Sequence, residues 1–191
     1  MQAPVSAIEA VAALLGLVNV WLVVRRSVWN YPFGIAMVLL YGRIFFEAKL
    51  YSDALLQLFF LVVQLYGWWN WTRSRAESGE VRVLRLGTRE RLFWGASCAA
   101  AVLAWGALMH FYTDASYPWW DAAVAIPSVA AQILLSRRFV ENWWLWILVD
   151  LLAVGLYAAK DLWLTAGLYL VFLGLATWGL AAWRRAGPVR A

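Results

Sequence analysis

Trp143, Trp146 and Asp150 stand at positions i, i+3 and i+7, a spacing that puts two indoles and one carboxyl on a single helical face. An indole face can stack on a planar heterocycle and attract its positive charge through the ring quadrupole, and a carboxylate can neutralise a cation or accept hydrogen bonds from hydroxyls. Asp150 lies roughly 10 Å beyond Trp143 at about 1.5 Å of helical rise per residue, inside a long apolar run. Inserting a carboxylate at the centre of such a run costs roughly 2.5–3.5 kcal/mol, so Asp150 must face an aqueous cavity, a partner or a cationic ligand. A protonated acid bonded to a neighbouring helix is the structural alternative. Tyr157 continues the same face two turns on.

Two further stripes carry polar groups. Asp53, Gln57, Gln64, Trp68 and Trp71 follow one another by steps of four, seven, four and three, which makes one helical face too polar for lipid. Gln57 and Gln64 there either bind a polar ligand or join helices through amide hydrogen bonds. Asn30, Gly34, Tyr41 and Phe45 form a related stripe after Pro32, which can open a helix start, while Gly34 suits close packing. Pro127 is a kink that serves as a hinge or a tolerated bend. Cys98 reads as a small packing residue and His110 as an interfacial one, because one cysteine and one histidine supply neither a disulfide framework nor a metal cluster. Neither a resident metal nor a cofactor is expected.

The elements that must position these groups follow from composition. Of 191 residues, 64% are hydrophobic and 14% charged, with a mean hydropathy of +0.67, which places the chain in a bilayer. A spanning helix needs roughly 20 predominantly apolar residues, and seven such stretches occur, near 6–24, 31–47, 51–71, 91–111, 120–136, 143–159 and 162–183. The first has no basic region before it and no cleavage site followed by a soluble domain, so it reads as a retained span. Most of the 15 tryptophans, Trp29, Trp68, Trp69, Trp119, Trp120, Trp144, Trp163 and Trp183 among them, fall near span ends, where aromatic belts form. Arg25 and Arg26, the stretch from Arg73 to Arg91, Arg137 and Arg138, and Arg184, Arg185 and Arg190 lie at alternate ends, which are therefore cytoplasmic. The opposite loops carry Glu47, Asp53, Asp114, Asp121 and Asp161. The N-terminus is expected outside and the C-terminus in the cytoplasm. The net charge of +5 is then an insertion signal, and no nucleic-acid partner is implied.

Displacing the chain by 112 positions superposes Glu9 on Asp121, Arg25-Arg26 on Arg137-Arg138, Asn30 on Asn142, Gly67 on Gly179 and Trp71 on Trp183. Self-similarity at one offset is the mark of a repeat. Three spans per repeat with one span between them predict a single transmembrane domain over residues 1–191: a first repeat at 6–71, a connection and linker helix at 72–119, and a second repeat at 120–183. The expected fold is all-α and integral to the membrane, with seven helices in a parallel 3+1+3 arrangement. Parallel repeats about an axis along the membrane normal form an established transporter plan, with substrate bound near the midplane.

Ile8-Glu9-Ala10, Asn30 to Gly34 (NYPFG), Tyr51 to Gln57 (YSDALLQ), Tyr66-Gly67-Trp68 with Trp71, Trp120-Asp121, Arg137-Arg138, and Val140 to Trp143 with Trp146 closely resemble the Pnu-type vitamin transporters, nearest the nicotinamide riboside branch. The likeness runs over essentially the whole chain. Its most specific element is W-x-x-W-x-x-x-N/D, present as Trp143, Trp146 and Asp150, where this chain has Asp in place of the Asn of other members. The resemblance implies that this motif lines the substrate site. It also implies a multi-pass protein of the bacterial inner membrane, a homotrimer among lipids, without catalytic residues, carrying its vitamin down a gradient while a cytoplasmic kinase traps the product. A cationic pyridinium with a hydroxyl-rich ribose suits Trp143, Trp146, Asp150, Asn142, Gln57, Gln64, Asn30 and Tyr41, with Asp53 and Asp121 placed for outer gating. Thiamine is also a planar cation, and riboflavin is carried by a related branch.

Other functions compete. A chain of this size could be the vitamin-binding subunit of an ATP-driven importer, since it has no G-x-x-x-x-G-K-[ST] motor of its own. A sugar carrier would also use aromatic faces and Asn. An intramembrane hydrolase needs a nucleophile beside a base, but Ser97 lies 13 residues before His110 and no G-x-S-x-G turn occurs.

Overall fold

The computed structural model describes residues 7–47, 51–113 and 117–190, with side chains described from Ala10 onward and, in the third helix, from Ala54. Its helices are α1 (Ala7–Val24), α2 (Asn30–Glu47), α3 (Tyr51–Ser78), α4 (Thr88–Tyr112), α5 (Pro118–Ser136), α6 (Asn142–Ala159) and α7 (Trp163–Arg185). Two short strands, β1 (Leu84–Arg85) and β2 (Val189–Arg190), pair in parallel. Helices α4, α5, α6 and α7 are long and apolar enough to cross a membrane, and α1 adds a shorter apolar helix, Ala10–Val24. Helix α3 runs on to Ser78, beyond its apolar stretch, where an Arg73–Glu77 pair at i, i+4 (2.7 Å) supports the polar extension.

The chain divides into two compact units, Met1–Arg82 with Ser136–Arg138, and Val83–Leu135 with Phe139–Ala191. In the first unit α2 packs against both α1 and α3. The α2–α3 contact is a ladder of small residues on large ones. Tyr31 lies on Gly67, Gln64 on Gly34, and the Cβ of Gln57 stands 3.5 Å from where a Cβ on Gly42 would be. The partner numbers fall on one helix as they rise on the other, so α2 and α3 run antiparallel. Trp71 meets Tyr31 edge-on, with centroids 5.4 Å apart at 90°.

In the second unit α6 packs against α7. Trp143 lies on Gly179 and meets Trp183 edge-on, with centroids 5.5 Å apart at 89°. Further along, Tyr157 stacks on Tyr169. Trp120 of α5 donates from Nε1 to the Leu152 carbonyl at 2.9 Å, and Trp119 covers Gly106 of α4. The strand pair seals the start of α4. Val140 N–H donates to the Leu84 carbonyl (2.9 Å) and Val189 N–H to that of Val83 (3.1 Å). Glu141 accepts from Leu86 N–H at 3.2 Å and pairs with Arg91 at 2.8 Å. Leu92, Phe93, Leu103, Trp105, Leu108, Phe111 and Tyr112 of α4 are exposed, as expected of a helix whose surroundings are lipid.

Local geometry recurs at the offset read from the sequence. Helices α2 and α6 begin at Asn30 and Asn142, and α3 and α7 at Tyr51 and Trp163. Arg26 and Arg138 both end a helix in the left-handed region, at φ 56° and 69°, with Ser27 N–H and Phe139 N–H closing back onto the Leu22 and Leu134 carbonyls. Such a closure ordinarily uses glycine, so arginine at both turns accepts a backbone penalty of roughly 1–2 kcal/mol.

Candidate functional site

Each unit holds its own polar residues at depth. Asp150 is 4% exposed on α6, one turn beyond Trp146, which is half-buried. A buried carboxyl in an apolar helix needs a compensating group, and Trp146 offers an aromatic surface on the same side of the helix. Trp143, the first member of the motif, is 1% exposed. Its ring is taken up by Gly179 and Trp183 of its own unit, and its Nε1 is buried without a partner. Trp143 therefore joins α6 to α7, and Trp146 has the freer ring.

Asn142 donates from Nδ2 to the Phe139 carbonyl at 2.6 Å, while its Oδ1 is buried without a partner. Asn30 makes the same bond to the Ser27 carbonyl at 2.7 Å. Both amides thus fix the turn before their helix, which commits their donors locally.

In the first unit Asn19, Asn30, Gly34 and Gln64 come together. Asn19 donates from Nδ2 to the Asn30 carbonyl at 2.7 Å. That nitrogen also lies 2.7 Å from where a Cβ on Gly34 would stand, and Gln64 Oε1 crowds the same point. Gly34 is required by this close approach, because any side chain would displace both amides. At the offset of 112, Asn19, Gly34 and Gln64 correspond to Ala131, Trp146 and Ala176, so amides around a glycine in one unit become an indole and two alanines in the other. Asn19 is absent from the sequence-derived set because it lies on an otherwise apolar helix with no second polar residue in phase.

Gln57 is half-buried on α3 against Gly42, and Tyr41 stacks on Phe45 with centroids 5.9 Å apart at 22°. Asp121 pairs with Lys160 at 3.0 Å, and Lys160 Nζ also stands 5.9 Å from the Tyr117 ring centre. The side chain of Asp53 lies outside the described residues. A surface hollow of about 480 Å³, lined by Leu65, Trp68, Trp69, Thr72, Arg73 and Ala76, is an open groove on α3 alone.

Buried polar groups on long apolar helices, with exposed apolar flanks, define a multi-pass helical membrane protein. The chain belongs to the family described as nicotinamide mononucleotide transporter, whose model matches residues 6–185. It is 28% identical to the nicotinamide riboside transporter PnuC of Escherichia coli (strain K12), over 92% of this chain and 84% of that one. It is 32% identical to the riboflavin/roseoflavin transporter RibM of Streptomyces davaonensis, over 92% and 83%. A crystal structure of the vitamin B3 transporter PnuC superposes with a TM-score of 0.76 at 27% identity, covering 94% of this chain and 81% of that one. The chain is thus a transporter-family protein of the bacterial inner membrane.

Proposed function

We propose that this chain carries nicotinamide riboside into the cell by facilitated diffusion with alternating access, its product trapped by a cytoplasmic kinase. The observation that carries the choice of vitamin is the similarity to the nicotinamide riboside transporter PnuC over 92% of the chain, and the buried carboxyl of Asp150 one turn from the half-buried ring of Trp146 suits that cargo. A pyridinium offers both the flat ring and the positive charge that this pair suits. Gln57 and Gln64, with Asn19 beside Gln64, supply amides for ribose hydroxyls. Trp143, Asn142, Asn30 and Tyr41 support the walls, and Asp121 with Lys160, and Asp53, serve at the outer gate.

The seven-span, N-outside topology and the parallel 3+1+3 repeat belong to the same reading. They are supported by the alternating arginine clusters and by the contacts that recur 112 residues apart. The chain is taken to act as a homotrimer. A second reading, riboflavin transport, is favoured by the similarity to RibM; the neutral ring of riboflavin leaves Asp150 without a charge to meet. Uptake into proteoliposomes distinguishes the two. Accumulation of labelled nicotinamide riboside to equilibrium, without ATP, supports the proposal, and uptake of riboflavin alone overturns the choice of vitamin.

A further inference from the structure

The two left-handed arginines differ in what they meet. Arg26 pairs with Glu80 at 3.1 Å and donates to the Val81 carbonyl at 3.3 Å. Arg138, its equivalent at the 112 offset, has no carboxylate partner among the described residues. Its Nη2 reaches Asn70 Oδ1 at a long 3.5 Å, and its Nε is buried without a partner. Asn70 is otherwise engaged, donating from Nδ2 to the Ser136 carbonyl at 2.9 Å. The nearby carboxylate, Glu77, is held by Arg73 at 2.7 Å.

The surroundings hold a second unsatisfied group. Tyr31 is 1% exposed, and its Oη is buried without a partner against Gly67. Gly67 and Asn70 are three residues apart on α3, hence on one face, so the Tyr31 hydroxyl at Gly67 and the Arg138 guanidinium at Asn70 lie against the same strip of that helix. Burial pushes the Arg138 guanidinium below its ordinary range, and Glu77, Tyr66 and Tyr31 only partly oppose that push. A half-buried cation with an idle Nε, and an idle buried hydroxyl on the same helical strip, each cost stability unless an acceptor completes them.

We infer that Arg138, Asn70 and Tyr31 form a binding site for a phosphate group, distinct from the proposed vitamin site. Arginine presents planar paired donors that match phosphate oxygens, and a tyrosine hydroxyl adds a third donor. The site's cytoplasmic position rests on the proposed orientation; its chemistry does not. The phosphate can come from a soluble ester, such as the phosphorylated product of a transported nucleoside, or from an anionic lipid headgroup.

The full chain in phosphatidylcholine nanodiscs is titrated calorimetrically, at constant ionic strength, with inorganic phosphate and with a nucleoside 5′-monophosphate. Its melting temperature is measured in parallel in nanodiscs with and without phosphatidylglycerol. Saturable phosphate binding weakened at least tenfold in Arg138→Asn, which tolerates the left-handed turn, and weakened also in the near-isosteric Tyr31→Phe, supports the site. A stronger response to the soluble ester assigns it to a solute. Stabilisation by phosphatidylglycerol that both variants lose assigns it to lipid. No response in any arm, or a response unchanged in Tyr31→Phe and Arg138→Asn, overturns the inference. Nicotinamide riboside binding in the same preparations separates this result from failure of the transport reading.

Discussion

The indole of Trp143 lies so close over Gly179 that a Cβ on that glycine would stand 2.5 Å from Trp143 Cη2 and Cζ2. The Tyr31 ring makes the equivalent contact with Gly67, at 2.6 Å from Oη, so one joint of ring on glycine holds α2 to α3 and α6 to α7. Alanine at Gly179 gains about 1 kcal/mol of helix propensity and meets a fused ring that cannot bend away. Overpacking of this kind costs about 1–3 kcal/mol. Gly179→Ala should therefore lower the melting temperature in detergent, and adding Trp143→Leu should restore part of the loss; an unchanged melt in the single variant would remove the joint from the account.

Asp150→Ala removes the polar group from the face that it shares with Trp146. Nicotinamide riboside affinity should fall about tenfold, or about 1.4 kcal/mol, while the protein remains folded. Affinity equal to wild type in a well-folded variant takes the carboxylate out of the site.

Gly34→Ala forces Asn19 and Gln64 apart, since both amides occupy the space of the missing side chain. Transport should fall several-fold, and Gln64→Ala added to Gly34→Ala should relieve the crowding without restoring substrate affinity. Recovery of full affinity in the double variant would show that Gln64 only packs.

Lys160 and Asp121 are partly exposed, and their pair is worth about 0–1 kcal/mol. Lys160→Ala should leave the melting temperature nearly unchanged yet alter the rate of uptake if the pair closes the outer gate. Identical rates in both proteins would confine the pair to a surface contact.

The helices were largely legible because apolar runs and arginine clusters delimit them: α5 ends at Ser136 and α6 starts at Asn142, within a residue of the spans read from sequence. The end of α3 was not, since hydropathy stops where the Arg73–Glu77 pair lets the helix continue. At the candidate site, the face shared by Trp146 and Asp150 follows from helical periodicity alone. Periodicity could not separate Trp143 from Trp146, because the enclosure of Trp143 depends on Gly179, 36 residues further along the sequence. The same limit hides Asn19, brought to Asn30 only by folding, and Glu141, whose partners Leu86 and Arg91 sit in the preceding connection. Arg138 looked like an orientation signal; its unmet donor is visible only in three dimensions.

The most direct test of substrate choice is calorimetric titration of the purified chain with nicotinamide riboside, thiamine and riboflavin under identical conditions. Saturable binding of nicotinamide riboside, tighter than either other vitamin and weakened in Asp150→Ala, is the expected result. Binding of riboflavin or thiamine alone to folded protein would contradict it.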